Sequence, residues 1–195
     1  MLKVGVTGGI GSGKSLVCKV FNCFGVPVYN ADERAKLLYD IDTYLQSQII
    51  ELFGVDLYSE GKLNRKLLAS IIFNDAKALV AVNALVHPAV EQDFKQWANK
   101  QNNTPYVIQE AAILFESGVH KIMDKTITIS SPQSLRIKRA SLRDNVLPEE
   151  IKRRMDKQMT DEEREHLANY IIISNDIDPM LPQIIDIHRQ LVKLV

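Results

Sequence analysis

The chain has 195 residues, of which 46% are hydrophobic and 25% charged, and its 24 basic and 24 acidic side chains give a formal net charge of zero. This length supports a folded domain with a sizeable core, and the composition excludes a disordered chain. A balanced charge argues against a nucleic-acid-binding protein, because such domains usually carry a basic excess.

The cysteines and the apolar segments indicate the cellular compartment. Cys18 and Cys23 form neither a metal-binding pair nor a disulfide framework, which favours a reducing environment. The longest stretch without Asp, Glu, Lys or Arg runs only from Ala78 to Val90, too short to span a bilayer. The N-terminus lacks the pattern of a signal peptide. We therefore expect a cytoplasmic protein that does not bind a membrane.

Strands and helices are predicted to alternate at both ends of the chain, with helices between them. Short apolar, β-branched segments predict strands at Leu2–Thr7, Val26–Tyr29, Tyr106–Gln109, Lys125–Ile129 and Tyr170–Ser174. Helices are predicted at Gly13–Phe24, Ala31–Asp40, Tyr44–Phe53, Asn64–Phe73, Asp75–Lys100, Pro132–Arg143, Pro148–Met159, Asp161–Ala168 and Pro179–Leu194. This alternation predicts an α/β fold, a parallel sheet with helices on both faces and with helical insertions.

The most informative segment lies between the first strand and the first helix. Residues 8–15 read G-G-I-G-S-G-K-S and fit the phosphate-loop pattern G-x-x-x-x-G-K-[ST]. The glycines let successive backbone N–H groups point at phosphate oxygens. Lys14 supplies a positive charge for the β- and γ-phosphates, and the Ser15 hydroxyl can bind Mg²⁺. The segment therefore predicts binding of a nucleoside triphosphate, and the absence of an N-K-x-D motif argues against a GTPase.

An acceptor site is predicted at the end of the second strand. Asp32 follows Asn30 and Ala31 there, and in a parallel sheet this strand end lies beside the phosphate loop. A carboxylate at this position can orient or deprotonate an acceptor hydroxyl. The alternative is structural, because Asn30 can cap the following helix and Glu33 can complete a capping box.

Positive charge is concentrated late in the chain. Between Arg136 and Lys157 there are eight basic residues and four acidic ones. Such a segment can close as a lid that brings arginines onto the transferred phosphoryl group. Arg139 and Arg143 share one helical face, whereas Lys152 to Lys157 are expected on a solvated face. Residues 161–165 are expected to form a plain exposed acidic turn.

With these residues in view, the chain resembles the dephospho-coenzyme A kinase family over nearly its whole length. The matching strings are TGGIGSGKS at 7–15, Ala31-Asp32, GKLNR at 61–65, Leu68, Ile72-Phe73, LVHP at 85–88, ILFE at 113–116, Arg139 in the lid and Ile173 to Asn175. The string at 7–15 is more specific than the general phosphate-loop pattern.

The resemblance implies transfer of the ATP γ-phosphoryl group to the ribose 3′-hydroxyl of dephospho-coenzyme A, with Mg²⁺, as the last step of coenzyme A synthesis. It implies one P-loop kinase domain, with a nucleotide-binding core at 1–31, 101–131 and 169–195, a helical acceptor-binding subdomain at 32–100, and a lid at 132–168. The implied catalytic residues are Lys14, Asp32 and Arg139. The implied ATP-binding residues are Gly9, Gly11, Ser12, Gly13, Lys14, Ser15, Leu16, Arg143 and Asn175, with Ser15 also at the metal. The implied acceptor-binding residues are Asp32, Arg65, His87 and Glu116.

Three departures from the family pattern stand near these positions. Asn30 replaces a second Asp found in many relatives, Leu16 replaces a common Thr, and Ala112 replaces a Pro. His87 also has a structural interpretation, as a residue at a helix start before Pro88.

Two other functions stay open, a P-loop kinase for another small acceptor and a nucleotide-gated switch without phosphoryl transfer. We expect a monomer or a weak homo-oligomer.

Overall fold

The computed structural model describes residues 1–195, except for the side chain of Asn74. The described chain forms two compact units. The first consists of Met1–Asn30 and Gln101–Val195, and the second of Ala31–Lys100. Among the described residues, none of the helices combines the length and the apolar composition needed to cross a bilayer.

The strands and helices follow the predicted order closely. The strands are β1 (Leu2–Gly8), β2 (Val28–Asn30), β3 (Tyr58–Ser59), β4 (Lys62–Leu63), β5 (Tyr106–Glu110), β6 (Lys125–Ser130) and β7 (Tyr170–Ile173). The helices are α1 (Lys14–Cys23), α2 (Ala31–Ile41), α3 (Thr43–Phe53), α4 (Arg65–Asn74), α5 (Ala76–Asn99), α6 (Gln133–Asp144), α7 (Pro148–Met155), α8 (Asp161–Leu167) and α9 (Met180–Val192). Short 3-10 turns lie at Val55–Leu57 and Val119–Ile122.

The first unit is built on a five-stranded sheet in the order β2-β5-β1-β6-β7. Each neighbouring pair is parallel, which confirms the predicted α/β class. Parallel strands end at the same edge of a sheet, so the last residues of β1, β2 and β5 lie close together. The phosphate loop follows the central strand, β1.

One face of the sheet packs against α1 and α9. Side-chain alternation places Val6, Ile108 and Ile127 on this face, where they pack with Phe21 and Leu191 of the two helices. Val6 pairs in register with Glu110, so the last residue of β5 belongs to the same apolar face. A carboxylate is thereby placed under the first turn of α1.

Residues 132–168 form a small helical layer with its own core. Ala140, Ile151 and Met155 are buried together, and Ile10 of the phosphate loop packs against them. Helix α7 ends at Met155, four residues before its predicted end. The N–H of Gln158 donates to the Met155 carbonyl at 2.9 Å, and the chain then turns into α8.

The second unit contains α2 to α5 and the β3–β4 hairpin. Helices α3, α4 and α5 begin at side-chain caps, where Asp42, Asn64 and Asp75 accept backbone N–H bonds from the first turns. The sequence patterns did not predict the hairpin, whose strands have two residues each and turn at Glu60 and Gly61, both with positive φ.

Candidate functional site

The phosphate loop has the backbone conformation that its glycines permit. Gly11 and Gly13 lie in the left-handed region, with φ of 77° and 100°, which side chains rarely allow. Lys14 then begins α1, so the N-terminal end of that helix faces the loop. Lys14 Nζ donates a hydrogen bond to the Gly8 carbonyl at 2.8 Å. The loop therefore combines backbone donors, a helix N-terminus and an ammonium group, a combination suited to a polyphosphate.

The remaining residues of the loop have distinct local roles. The N–H of Ser12 donates to the Gly9 carbonyl at 3.1 Å and closes the turn. The Ser12 side chain is fully buried, and its hydroxyl has no hydrogen-bond partner among the described residues. Leu16 exposes 53% of its surface, and its N–H donates to the Gly13 carbonyl. Its side chain supplies no polar group to the loop.

A buried carboxylate lies directly beside the loop. The Ser15 hydroxyl donates to Glu110 Oε1 at 2.8 Å, and Asn30 Nδ2 lies 3.5 Å from Glu110 Oε2. Glu110 is only 6% exposed. Burial, reinforced by this carboxylate, raises the pKa of the neighbouring Cys18 thiol, so Cys18 stays protonated. The start of α1 and the ends of β2 and β5 thus bring a hydroxyl, an amide and a carboxylate together.

These oxygen groups fit a magnesium ion held mainly by phosphates. Mg²⁺ prefers oxygen ligands and usually binds through one or two protein groups together with substrate phosphates and water. Ser15 offers the hydroxyl, and Glu110 already accepts its hydrogen bond. The described residues contain no cluster of three or more His, Cys, Asp or Glu that could hold a metal alone. The donor set therefore suits an ion that arrives with a nucleotide.

Arg139 of α6 lies near the other side of the loop. Its guanidinium donates to the Ser174 hydroxyl at 3.1 Å and the Ser131 hydroxyl at 3.3 Å, and it pairs with Asp176. The Ser174 hydroxyl is also 3.5 Å from the position that a Cβ on Gly13 would occupy. These contacts anchor the Arg139 side chain, and because 28% of it is exposed, it is still accessible to a ligand. The structure brings this predicted site residue close to the phosphate loop.

Three other predicted residues of the first unit have separate environments. Arg143 is 63% exposed and pairs with Asp144. Asn175 forms a tight turn, since its side-chain oxygen accepts the N–H groups of Ile177 and Asp178 at 3.0 and 2.8 Å. Glu116 accepts the Met159 N–H at 3.0 Å.

The predicted acceptor residues Asp32, Arg65 and His87 belong to the second unit. Asp32 is exposed in the first turn of α2. Arg65 of α4 donates to Asp40 Oδ2 and to the Lys36 carbonyl, both at 2.6 Å. Burial lowers the pKa of half-buried His87. The interpretation of His87 as a helix-start residue is wrong, because α5 continues from Ala76 to Asn99 with Pro88 inside it.

Two features of the site were not predicted from the sequence. Glu110 lies one residue beyond the predicted end of its strand. The sequence does carry a signal that could have identified it, because an acidic residue follows a buried strand at the edge of the sheet that holds the phosphate loop. Residues 161–165 are not a plain exposed acidic turn. Asp161 is half-buried and pairs with Arg136 and Arg164, and Glu163 completes a capping box with Thr160.

Comparisons with known proteins agree with this geometry. The family model for dephospho-CoA kinase (CoaE) matches residues 2–178. The dephospho-CoA kinase of Bacteroides fragilis strain YCH46 is 38% identical over 186 residues, which cover 95% of this chain and 91% of that protein. The solved dephospho-CoA kinase of Campylobacter jejuni has a TM-score of 0.70 at 27% identity, over 98% of this chain and 97% of the other.

A crystal structure of a Thermus thermophilus protein is also similar, with a TM-score of 0.83 at 27% identity, over 100% of this chain and 98% of the other. The matched residues include the phosphate loop, the sheet that carries it and the helical segment with Arg139. These similarities confirm the resemblance inferred from the sequence: the chain belongs to the dephospho-CoA kinase family.

Proposed function

We propose that the chain transfers the γ-phosphoryl group of ATP to the ribose 3′-hydroxyl of dephospho-coenzyme A, giving coenzyme A and ADP. The observation that carries this proposal is the family match over residues 2–178, which includes an intact phosphate loop ending in Lys14 and Ser15. The acceptor hydroxyl oxygen forms a bond to the γ-phosphorus, and the bond from that phosphorus to the β–γ bridging oxygen breaks. The hydroxyl proton leaves to a base, and ADP carries away the bridging oxygen.

The residues of the first unit support the nucleotide half of this reaction. The loop amides and Lys14 are suited to hold the β- and γ-phosphates, because they present fixed donors and a positive charge. Arg139 can reach a phosphoryl group if it exchanges its contact with Asp176, and its planar fork matches phosphate oxygens. Magnesium, when bound with ATP, would neutralise charge on the β- and γ-oxygens. Ser15, backed by Glu110, is the residue we assign to it.

Asp32 is the residue we assign to the acceptor hydroxyl. Its carboxylate is exposed in the first turn of α2, which begins directly after β2. A carboxylate needs this accessibility to take a proton from an incoming alcohol. Arg65, His87 and Glu116 stay proposals for the acceptor site. Arg65 and Glu116 already have protein partners, which the acceptor would have to exchange or share.

The test is an ADP-release assay with dephospho-coenzyme A, AMP, shikimate and gluconate as separate acceptors. The proposal requires the highest kcat/KM with dephospho-coenzyme A and a phosphorylated product at the 3′-position. Higher kcat/KM with any of the other three would overturn the proposed acceptor. ADP release that is independent of every acceptor would instead indicate a nucleotide hydrolase or switch. The cytoplasmic location and the monomeric or weakly oligomeric state stay predictions.

A further inference from the structure

The outer turn of the phosphate loop, residues 9–11, is enclosed by the helical segment 132–168. The backbone N–H of Ile10 donates to the side-chain carbonyl of Gln158 at 2.9 Å. The Ile10 side chain packs against the cluster of Ala140, Ile151 and Met155. One residue of the loop is therefore held twice by the helical segment, through its amide and through its side chain.

Two buried arginines lie against the same turn. The side chains of Arg136 and Arg164 are 4% and 1% exposed. A Cβ on Gly9 would lie 2.7 Å from Arg136 Cζ and 2.9 Å from Arg164 Nη2, closer than side-chain atoms tolerate. Gly9 therefore lets the backbone touch both guanidinium groups. A larger residue would push the turn away from them.

The arginines in turn fix the chain that follows Gln158. Both guanidinium groups bind the Asp161 carboxylate, and Arg164 also donates to the Met159 carbonyl. The Met159 N–H is held by Glu116. The residues that follow Gln158 are thus tied to buried charges, which leaves its side chain little freedom to leave Ile10.

The hydrogen bond between Ile10 and Gln158 also affects the backbone amides that follow Ile10 in the phosphate loop. Because the Ile10 N–H is occupied by Gln158, the peptide plane between Gly9 and Ile10 has one orientation. Gly11, with φ of 77°, comes next and packs closely on the backbone of Arg136. The amides from Gly11 onwards then start from a fixed position, and preorganised donors bind a ligand at lower entropic cost.

From this geometry we propose that Gln158 is a positioning residue for nucleotide binding, held in place by the cluster of Arg136, Asp161 and Arg164. It acts through the Ile10 amide and touches no reacting atom. The inference rests on the proposed function only in that the loop binds a nucleotide, and it is independent of the acceptor. Neither Gln158 nor Asp161 was among the site residues expected from the sequence.

The test compares Gln158→Met, which keeps the length of the side chain and removes the amide, with Gln190→Met. Gln190 lies on α9, where its amide donates to Asp186, and serves as the matched control. Binding of ADP with Mg²⁺ is measured by calorimetry without an acceptor, and thermal unfolding is measured in parallel. Loss of a hydrogen bond to this partly buried N–H predicts a Kd for ADP raised roughly 10-fold or more in Gln158→Met. The control should stay within about twofold of wild type.

Steady-state kinetics separates positioning from general damage. The KM for ATP should rise by a factor similar to the Kd for ADP, while the KM for dephospho-coenzyme A changes by less than about twofold. Asp161→Asn should raise the Kd for ADP in the same direction. The double variant should lose no more affinity than the larger of the two single losses, because both act through the same turn.

Three results would overturn the inference. The first is a Kd for ADP in Gln158→Met within twofold of wild type, even if the melting temperature falls. The second is full additivity of the two substitutions. The third is failure of the wild-type chain to bind ADP, which would overturn the proposed function as well. In the first two cases wild-type binding leaves the proposed function intact.

Discussion

The carboxylate of Asp161 offers a direct test of how much the buried arginine cluster contributes to stability. Asp161→Asn keeps the shape of the side chain and removes its charge. Arg136 and Arg164 both pair with this carboxylate, and their side chains are 4% and 1% exposed. Burial lowers the pKa of Arg136, but an arginine remains protonated in a folded protein. The substitution therefore leaves two buried cations without their shared counter-charge.

The expected loss follows from these exposures. Removing one partner of a buried ion pair typically costs about 3–5 kcal/mol. The Asp161 side chain is itself 30% exposed, so water offsets part of the loss and the lower end of the range applies. We expect the free energy of unfolding to fall by about 3 kcal/mol. For a chain of this size that corresponds to a decrease in Tm of roughly 6–12 °C.

The assay is urea-induced unfolding of the wild type and of Asp161→Asn, followed by circular dichroism. Glu150→Gln is the matched control, because Glu150 pairs with Arg154 and both side chains are 45% exposed. An exposed pair of this kind contributes about 0–1 kcal/mol. If Asp161→Asn destabilises the protein no more than Glu150→Gln does, the buried arginines do not depend on this carboxylate, and the reasoning fails.

Four further predictions concern the site. Lys14→Ala should abolish turnover in the ADP-release assay, because it removes the ammonium assigned to the β- and γ-phosphates; normal activity would remove that assignment. Asp32→Asn should lower kcat by about 10²-fold or more while the Kd for ATP stays near wild type; an unchanged kcat would make Asp32 a structural residue only. Arg139→Ala should lower kcat by roughly one to three orders of magnitude; weaker ATP binding with an intact kcat would indicate docking instead. Burial lowers the pKa of His87 in the folded chain, so the unfolded chain binds a proton at this histidine at a higher pH than the folded chain does. The free energy of unfolding should therefore fall as the pH drops below about 6.5. Unfolding at pH 7.5 and 5.5 should show a smaller decrease in His87→Gln, and an equal decrease would assign the effect to other groups.

Much of the fold could be predicted from local sequence patterns. Apolar β-branched segments such as Leu2–Thr7 and the spacing of apolar residues in α1 are short-range features, so they indicate strands and helices without reference to tertiary contacts. The β3–β4 hairpin escaped prediction because two-residue strands carry no periodicity. The end of α7 was misplaced because Gln158 turns away from the helix to meet Ile10, a residue distant in sequence.

The phosphate loop was determined by the sequence alone, because glycines, a lysine and a serine at fixed spacing are needed to wrap a backbone around phosphates. The family was also evident from the sequence, through matching strings along nearly the whole chain. Only the tertiary structure decided which residues support that loop. Glu110 meets Ser15, and Gln158 meets Ile10, across long separations in the chain. Such pairs depend on which strand ends and helices the fold brings together. The sequence alone does not distinguish a buried arginine such as Arg164 from an arginine at the surface. Only the packing of the fold removes its side chain from water.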